Sequence, residues 1–242
     1  METLTPDEYL LQLRSATADL VRAIDGLSDA EVRAPSPLPG WTRGHVLTHI
    51  ARNAEGGTRL LHWARTGVAS YEYESVEARA AAIEQGAGRP ATALVADLRG
   101  SADGFFAEAD AMPAQAWQHI VRWTTGQETE AALIMPMRLG EVYVHHVDLN
   151  IGYCPKDWPA AFVHGYTDRA VAGLRSHPEL AIRLEATDTG RVYEAGELTA
   201  AAPVVAGPEY ALLAWLIGRS DGGELTCAGN RSLPAVPVLY AA

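Results

Sequence analysis

Four long stretches of helical spacing, each fenced by Gly or Pro, fill most of the first 152 residues and limit the fold more than any other feature of the chain. The first opens "LTPDEYLLQLRS". Thr5 suits a cap, Pro6 the first helical position, and Glu8 completes a capping box. Leu10, Leu13, Leu20, Val21 and Ile24 then recur at helical spacing until Gly26 stops the run. A second helix is expected between the cap Thr42 and Gly67. A third runs through "RPATALVADLRGSADGFFAEADAM", weakened by Gly100 and Gly104, and a fourth from about Pro136 to Gly152. Between them lie a short turn "SDAEV", the breaker cluster "APSPLPG" and an alanine-rich helix "SVEARAAAIEQGAG". The segment "WQHIVRWTTGQETEAALI" places β-prone residues on both sides of "TTGQE", which predicts a β-hairpin. Four long helices in so short a span predict a helical bundle with crossover connections.

After "GYCPKDWP" the pattern shifts. "AAFVHGYTDRAVAGLRSH" and "PEYALLAWLIGRS" read as helices. "LAIRLEATD", "RVYEAG", "APVVAG" and "GELTCAG" read as strands. The expected class is therefore α+β, with a helical bundle over residues 1–154 and a small α+β domain over 155–242. A length of 242 residues allows one large domain or two ordinary ones. The formal charge of −11 argues against nucleic acid or an anionic membrane as partner, and it requires a locally basic pocket for any anionic substrate. No apolar run approaches the roughly 20 residues of a membrane span, and the N-terminus lacks the apolar core of a signal peptide. Cys154 and Cys227 form no CxxC motif. They are expected to be small core residues in a reducing cytoplasm.

Candidate chemistry concentrates in "GEVYVHHVDL", residues 140–149. A helix advances about 100° per residue, so Glu141 and His145 share one face while His146 points away. One carboxylate and one imidazole form a ligand pair suited to Zn²⁺. The plainer alternative is a satisfied Glu–His pair on a helix. A third ligand must come from elsewhere, and "HVLTH" offers both His45 and His49 on one face of the second helix. Spacing does not choose between them. Asp148, one turn beyond His145, reads either as a partner orienting a ligand histidine or as an ordinary polar helix residue.

The segments "LPGWTRGHVLTHIARNAEGGTRLLHWARTG", "VEARAAAIEQGA", "GEVYVHHVDLNIGY" and "LLAWLIGRSDGGEL" together resemble the mycothiol-dependent maleylpyruvate isomerase family, a branch of the DinB-like zinc bundles. The resemblance spans nearly the whole chain. It implies a DinB-like four-helix bundle over the N-terminal region and one Zn²⁺ per chain, held by His49, Glu141 and His145. Three protein ligands leave a position open, as in catalytic zinc sites. The implied cofactor thiol is mycothiol, with its own binding residues unassigned. The implied reaction is the cis–trans isomerisation of maleylpyruvate to fumarylpyruvate, a step of aromatic degradation through gentisate.

Such an isomerisation requires a thiolate to add to the alkene, allow rotation, and leave. The substrate is a dianion, so fixed cations are expected. Arg79 and Arg219 match positions where the family carries arginines near its active site, against the alternative that each is a solvated surface residue. Two other functions keep the same ligands: a zinc-dependent S-transferase joining a low-molecular-weight thiol to an electrophile, and a non-catalytic metal- and thiol-binding protein. A monomer is compatible with the sequence.

Overall fold

The computed structural model describes residues 4–174, 176–177, 180–199, 201–229 and 231–237. It divides the chain into two compact units, residues 1–151 and 152–242. Among the described residues the first contains six α-helices: α1 (Pro6–Ile24), α2 (Asp29–Arg33), α3 (Arg43–Thr66), α4 (Val76–Ala87), α5 (Ala91–Asp110) and α6 (Ile134–Asp148). Strands β1 (Ile120–Arg122) and β2 (Glu128–Glu130) form the antiparallel hairpin between α5 and α6.

Local chemistry accounts for these boundaries. Thr5 and Glu8 form the capping box expected at the start of α1, and Ser28 and Glu31 form a second at α2. Thr42 caps α3, whose end is closed by Gly67 at φ +76°. The hairpin turns at Gly126, φ +88°, a left-handed conformation that glycine adopts without steric cost.

Helix α3 is the centre of the first unit and packs on α4, α5 and α6, while α1 packs on α5 and α6. Its buried Leu47, Ile50, Leu60 and Leu61 share the core with Leu13 and Leu20 of α1, Leu94, Leu98 and Phe105 of α5, and Val142 and Val144 of α6. Two glycines permit a close crossing of α3 and α4: a Cβ on Gly44 would collide with the Ala87 carbonyl, and one on Gly86 with Thr48. The crossing carries α4, and with it Arg79, over the first turns of α3.

The connection between α3 and α4 is pinned from two sides. Arg59 Nε donates to the carbonyls of Tyr71 and Glu72 at 3.1 and 3.0 Å. From the hairpin, Arg122 Nη2 donates to the Tyr71 hydroxyl at 2.9 Å and Thr124 Oγ1 to Glu72 Oε2 at 3.1 Å.

The second unit contains α7 (Ala160–Leu174), α8 (Glu209–Leu216) and a four-stranded sheet in the order β4-β3-β5-β6. Its strands are β3 (Ile182–Ala186), β4 (Val192–Ala195), β5 (Val204–Gly207) and β6 (Thr226–Cys227). β3 runs parallel to β5 and antiparallel to β4, and β6 is antiparallel to β5. The two helices pack together, with α8 against β3 and β5. Buried Glu209 ties the layers: its carboxylate contacts the Tyr193 hydroxyl, His164 Nδ1 at 2.7 Å and Thr189 Oγ1 at 3.1 Å. The expected continuation of α7 through Arg175 lies outside the described residues. The chain is thus mixed α+β. Among the described residues no helix is long and apolar enough to cross a membrane.

One expectation needs correction. Cys227 is buried in β6, but Cys154 is exposed at the start of the second unit and is not a core residue. It precedes Pro155, and its backbone N–H donates to Asp157 Oδ2 at 2.8 Å, a surface turn with no apolar packing requirement.

Candidate metal centre

Helix α6 places Glu141 and His145 one turn apart, and α3 brings His49 to meet them. The candidate ligand atoms of the three residues lie within 4.8 Å of one another. His49 Nε2 is 2.8 Å from Glu141 Oε2 and 2.9 Å from His145 Nε2, and His145 Nε2 is 3.4 Å from Glu141 Oε2. Both histidines are buried and Glu141 is half-buried.

The ring orientations are held from behind. His145 Nδ1 donates to Asp148 Oδ2 at 2.7 Å, which aims the lone pair of a neutral ring at Nε2 into the cluster. The Asp148 backbone carbonyl accepts from Ser36 Oγ at 2.7 Å, and Arg43 donates to the carbonyls of Leu149 and Asn150 at 2.6 and 2.9 Å. A cation there also complements the C-terminal end of the α6 dipole. Trp41 meets the His49 ring edge-on at a centroid distance of 5.7 Å. On its other side His49 Nδ1 accepts from Arg79 Nη2 at 3.1 Å.

The electrostatics fit a cation. Burial, reinforced by neighbouring His145, pushes His49 down to about 4, so its ring is neutral at physiological pH. Burial acts against ionised Glu141 as well, yet hydrogen bonds from His145 and His49 hold its carboxyl well below the usual range. Burial would also lower His145, but its bonds to Asp148 and Glu141 raise it above the ordinary imidazole value. A proton on Nε2 would compete with a metal ion for the same lone pair. Ion affinity should therefore fall as pH falls and a larger fraction of His145 is protonated. Two nitrogens and one carboxylate oxygen, buried and oriented by Asp148, fit a borderline divalent cation such as Zn²⁺.

His45, the other histidine of "HVLTH", is committed elsewhere. Its Nδ1 lies 2.7 Å from Thr42 Oγ1 and accepts from the Thr42 backbone at 3.1 Å, closing the cap of α3. His146 is buried outside the cluster. Arg219 belongs to the second unit, where it follows the end of α8. Its Nη1 donates to the Ile217 carbonyl at 2.8 Å, and it lines a cavity of about 240 Å³ with Cys154, Lys156 and Tyr210.

Reading the sequence by helical faces misses a second feature. Glu141 also lines a cavity of about 260 Å³ with Asn53 of α3, Glu72 of the pinned connection, Arg138 of α6, and Trp123, Thr125 and Gln127 of the hairpin. Arg138 is buried, and its Nη1 donates to the Ile50 carbonyl at 2.9 Å and to Asn53 Oδ1 at 2.7 Å. Burial pushes the Glu72 carboxyl up from its ordinary value. The only sequence hint was the polar, aromatic turn "WTTGQ".

Comparison with known proteins follows the same lines. The family model described as the mycothiol maleylpyruvate isomerase N-terminal domain matches residues 13–150, which include His49, Arg79, Glu141, His145 and Asp148. A solved structure of a mycothiol-dependent maleylpyruvate isomerase is 27% identical, with a TM-score of 0.89, covering 98% of this chain and 99% of that one. A histidine-to-alanine mutant of a mycothiol-dependent maleylpyruvate isomerase is 26% identical, with a TM-score of 0.91 and the same coverage. Comparison with curated protein sequences finds no match. With a family model matched over more than half its length and a fold shared over nearly all of it, this chain belongs to the mycothiol maleylpyruvate isomerase family.

Proposed function

We propose that the protein is a zinc- and mycothiol-dependent isomerase converting maleylpyruvate to fumarylpyruvate. The observation that carries this reading is the convergence of His49, Glu141 and His145 on one buried point, with Asp148 orienting His145. We read α1, α3, α5 and α6 as a DinB-like four-helix bundle ending near residue 154, with residues 155–242 as its C-terminal domain.

His49 Nε2, Glu141 Oε2 and His145 Nε2 would hold the ion, leaving one position open. When bound, zinc and its thiol supply a sulfur nucleophile deprotonated at neutral pH, able to add to an alkene and to leave again. The chain's own residues provide orientation and charge. Asp148, accepting from His145 Nδ1, directs Nε2 of that ring into the ligand set. Arg79 reaches the edge of the ligand set with a guanidinium suited to a carboxylate or a developing enolate oxygen. A ring coordinated through Nε2 carries its hydrogen on Nδ1. The donor-only guanidinium of Arg79 then needs a new acceptor, and a substrate carboxylate provides one. Addition of the thiolate turns the substrate's double bond into a single bond, rotation follows, and elimination restores a trans alkene.

Zinc removal and reconstitution test this reading. Chelated protein should lose maleylpyruvate turnover and regain it with one equivalent of Zn²⁺ in the presence of mycothiol. Full activity in metal-free protein would overturn it. Asp148→Asn removes the charge that orients His145, and about 10- to 100-fold weaker zinc affinity is expected in chelator competition. Arg219→Ala should keep zinc and fold yet lose at least about tenfold in kcat/KM, with Arg219→Lys restoring only part because an ammonium lacks the planar fork. Steady-state kinetics on zinc-loaded protein checks both variants.

A further inference from the structure

We propose that the 260 Å³ cavity beside Glu141 seats the neutral sugar portion of the thiol cofactor, and that the dianionic substrate does not enter it. The inference rests on the reading of the site as mycothiol-dependent. Mycothiol carries its thiol on an N-acetylated cysteine, amide-linked to an uncharged glucosamine–inositol unit. A sulfur bound beside Glu141 therefore trails a polyol that needs a polar, largely neutral wall with one flat apolar surface.

The cavity provides those elements. Trp123 offers an indole against which sugar C–H bonds pack, the positive edge of one partner meeting the negative face of the other. Its Nε1 donates to Thr129 Oγ1 at 2.9 Å, which fixes the ring within the hairpin. Asn53 is oriented by its neighbour: Arg138 only donates, so the Asn53 oxygen faces Arg138 at 2.7 Å and its NH₂ remains the donor for the cavity. Gln127 and Thr125 add donors and acceptors from the hairpin turn, and the Glu72 carboxylate adds an acceptor. Donors and acceptors gathered beside one aromatic side chain suit vicinal hydroxyls.

Charge decides against the substrate. Glu141 is spoken for by the ion it would hold, so the rest of the wall sets the Glu72 carboxylate against one arginine, whose Nη1 is directed to Ile50 O and Asn53 Oδ1. A dianion seated against this balanced wall would gain no net attraction to offset its lost hydration, whereas an uncharged polyol gives up far less. Arg79, the cation at the ligand set, contacts His49 and is not part of this wall. Thiol and substrate thus approach the reacting centre from different sides.

The test compares zinc-loaded parent protein with Trp123→Ala, Trp123→Phe and Gln127→Ala. Two readouts are used: calorimetric binding of S-methyl mycothiol, which needs no turnover, and the separate KM values for mycothiol and maleylpyruvate. Trp123→Ala should weaken S-methyl mycothiol at least tenfold, Gln127→Ala severalfold, and Trp123→Phe should recover most of the loss. The kinetic penalty should fall on the KM for mycothiol. A rise confined to the KM for maleylpyruvate, or unchanged S-methyl mycothiol affinity in both alanine variants, would overturn the proposal. Should Trp123→Ala fail to fold, Gln127→Ala and Trp123→Phe still decide it through the binding measurement. Failure of the isomerase reading is seen separately, as absent maleylpyruvate turnover in a parent protein that still binds S-methyl mycothiol.

Discussion

Glu141→Ala should give a folded protein that retains less than a tenth of the parent's zinc and isomerises maleylpyruvate at least about 10³-fold more slowly. Glu141 is the one anionic member of the proposed ligand set and lies within 3.4 Å of both histidine Nε2 atoms. Its removal leaves two neutral imidazoles for a dication, and a buried His145 deprived of one acceptor. Glu141→Gln separates charge from shape: it preserves packing but should bind zinc almost as poorly. Alanine at His49 or His145 should follow the same course. His146→Ala should keep the metal while losing some stability, because His146 is buried outside the cluster. Metal analysis of the purified variants, alongside circular dichroism for folding, checks the set. Parental zinc content in all three ligand variants would remove the metal assignment.

Arg79→Ala is expected to show the second largest effect, about 10²-fold or more in kcat/KM with zinc content retained. Arg79 meets the ligand set only through His49 Nδ1, at 3.1 Å, and its guanidinium lies 5.9 Å from the Tyr73 ring centroid. Losing it leaves the candidate ligand atoms themselves untouched while removing the cation proposed to neutralise the substrate. Arg79→Lys should recover part of the loss through charge alone. Steady-state kinetics with metal analysis on the same preparations separates the two roles. A large drop in zinc content in Arg79→Ala would make Arg79 a support of the metal centre and not a substrate cation.

The parts of this molecule that were legible in the sequence are those written locally. Thr5 with Glu8 announces α1, Thr42 and Gly67 bracket α3, and the segment around Gly126 announces the hairpin. Glu141 and His145 are paired by helical spacing alone. The choice of His49 over His45 was not available from spacing, because both rings share a face of α3. The distinction comes from a cap: Thr42 recruits the His45 Nδ1 where a glutamate more commonly serves. Arg79 near His49 depends on how closely α3 and α4 cross, which Gly44 and Gly86 decide through contacts invisible to periodicity. The cavity is assembled from residues between 53 and 141 on two helices, a connection and a hairpin, so no local window contains it. Cys154 departs from expectation for a related reason: composition argues for buried cysteines in general, whereas its neighbours Pro155 and Asp157 set a surface turn.

An isomerase that uses its thiol only as a transient nucleophile must return it unchanged. The most direct test follows maleylpyruvate in the presence of zinc-loaded protein and a substoichiometric amount of mycothiol, recording fumarylpyruvate by NMR and free thiol by titration. Many equivalents of fumarylpyruvate per mycothiol are expected, with the thiol fully recovered at the end. Consumption of one mycothiol per maleylpyruvate, with a stable thioether as the final product, would contradict it and make the protein a thiol transferase.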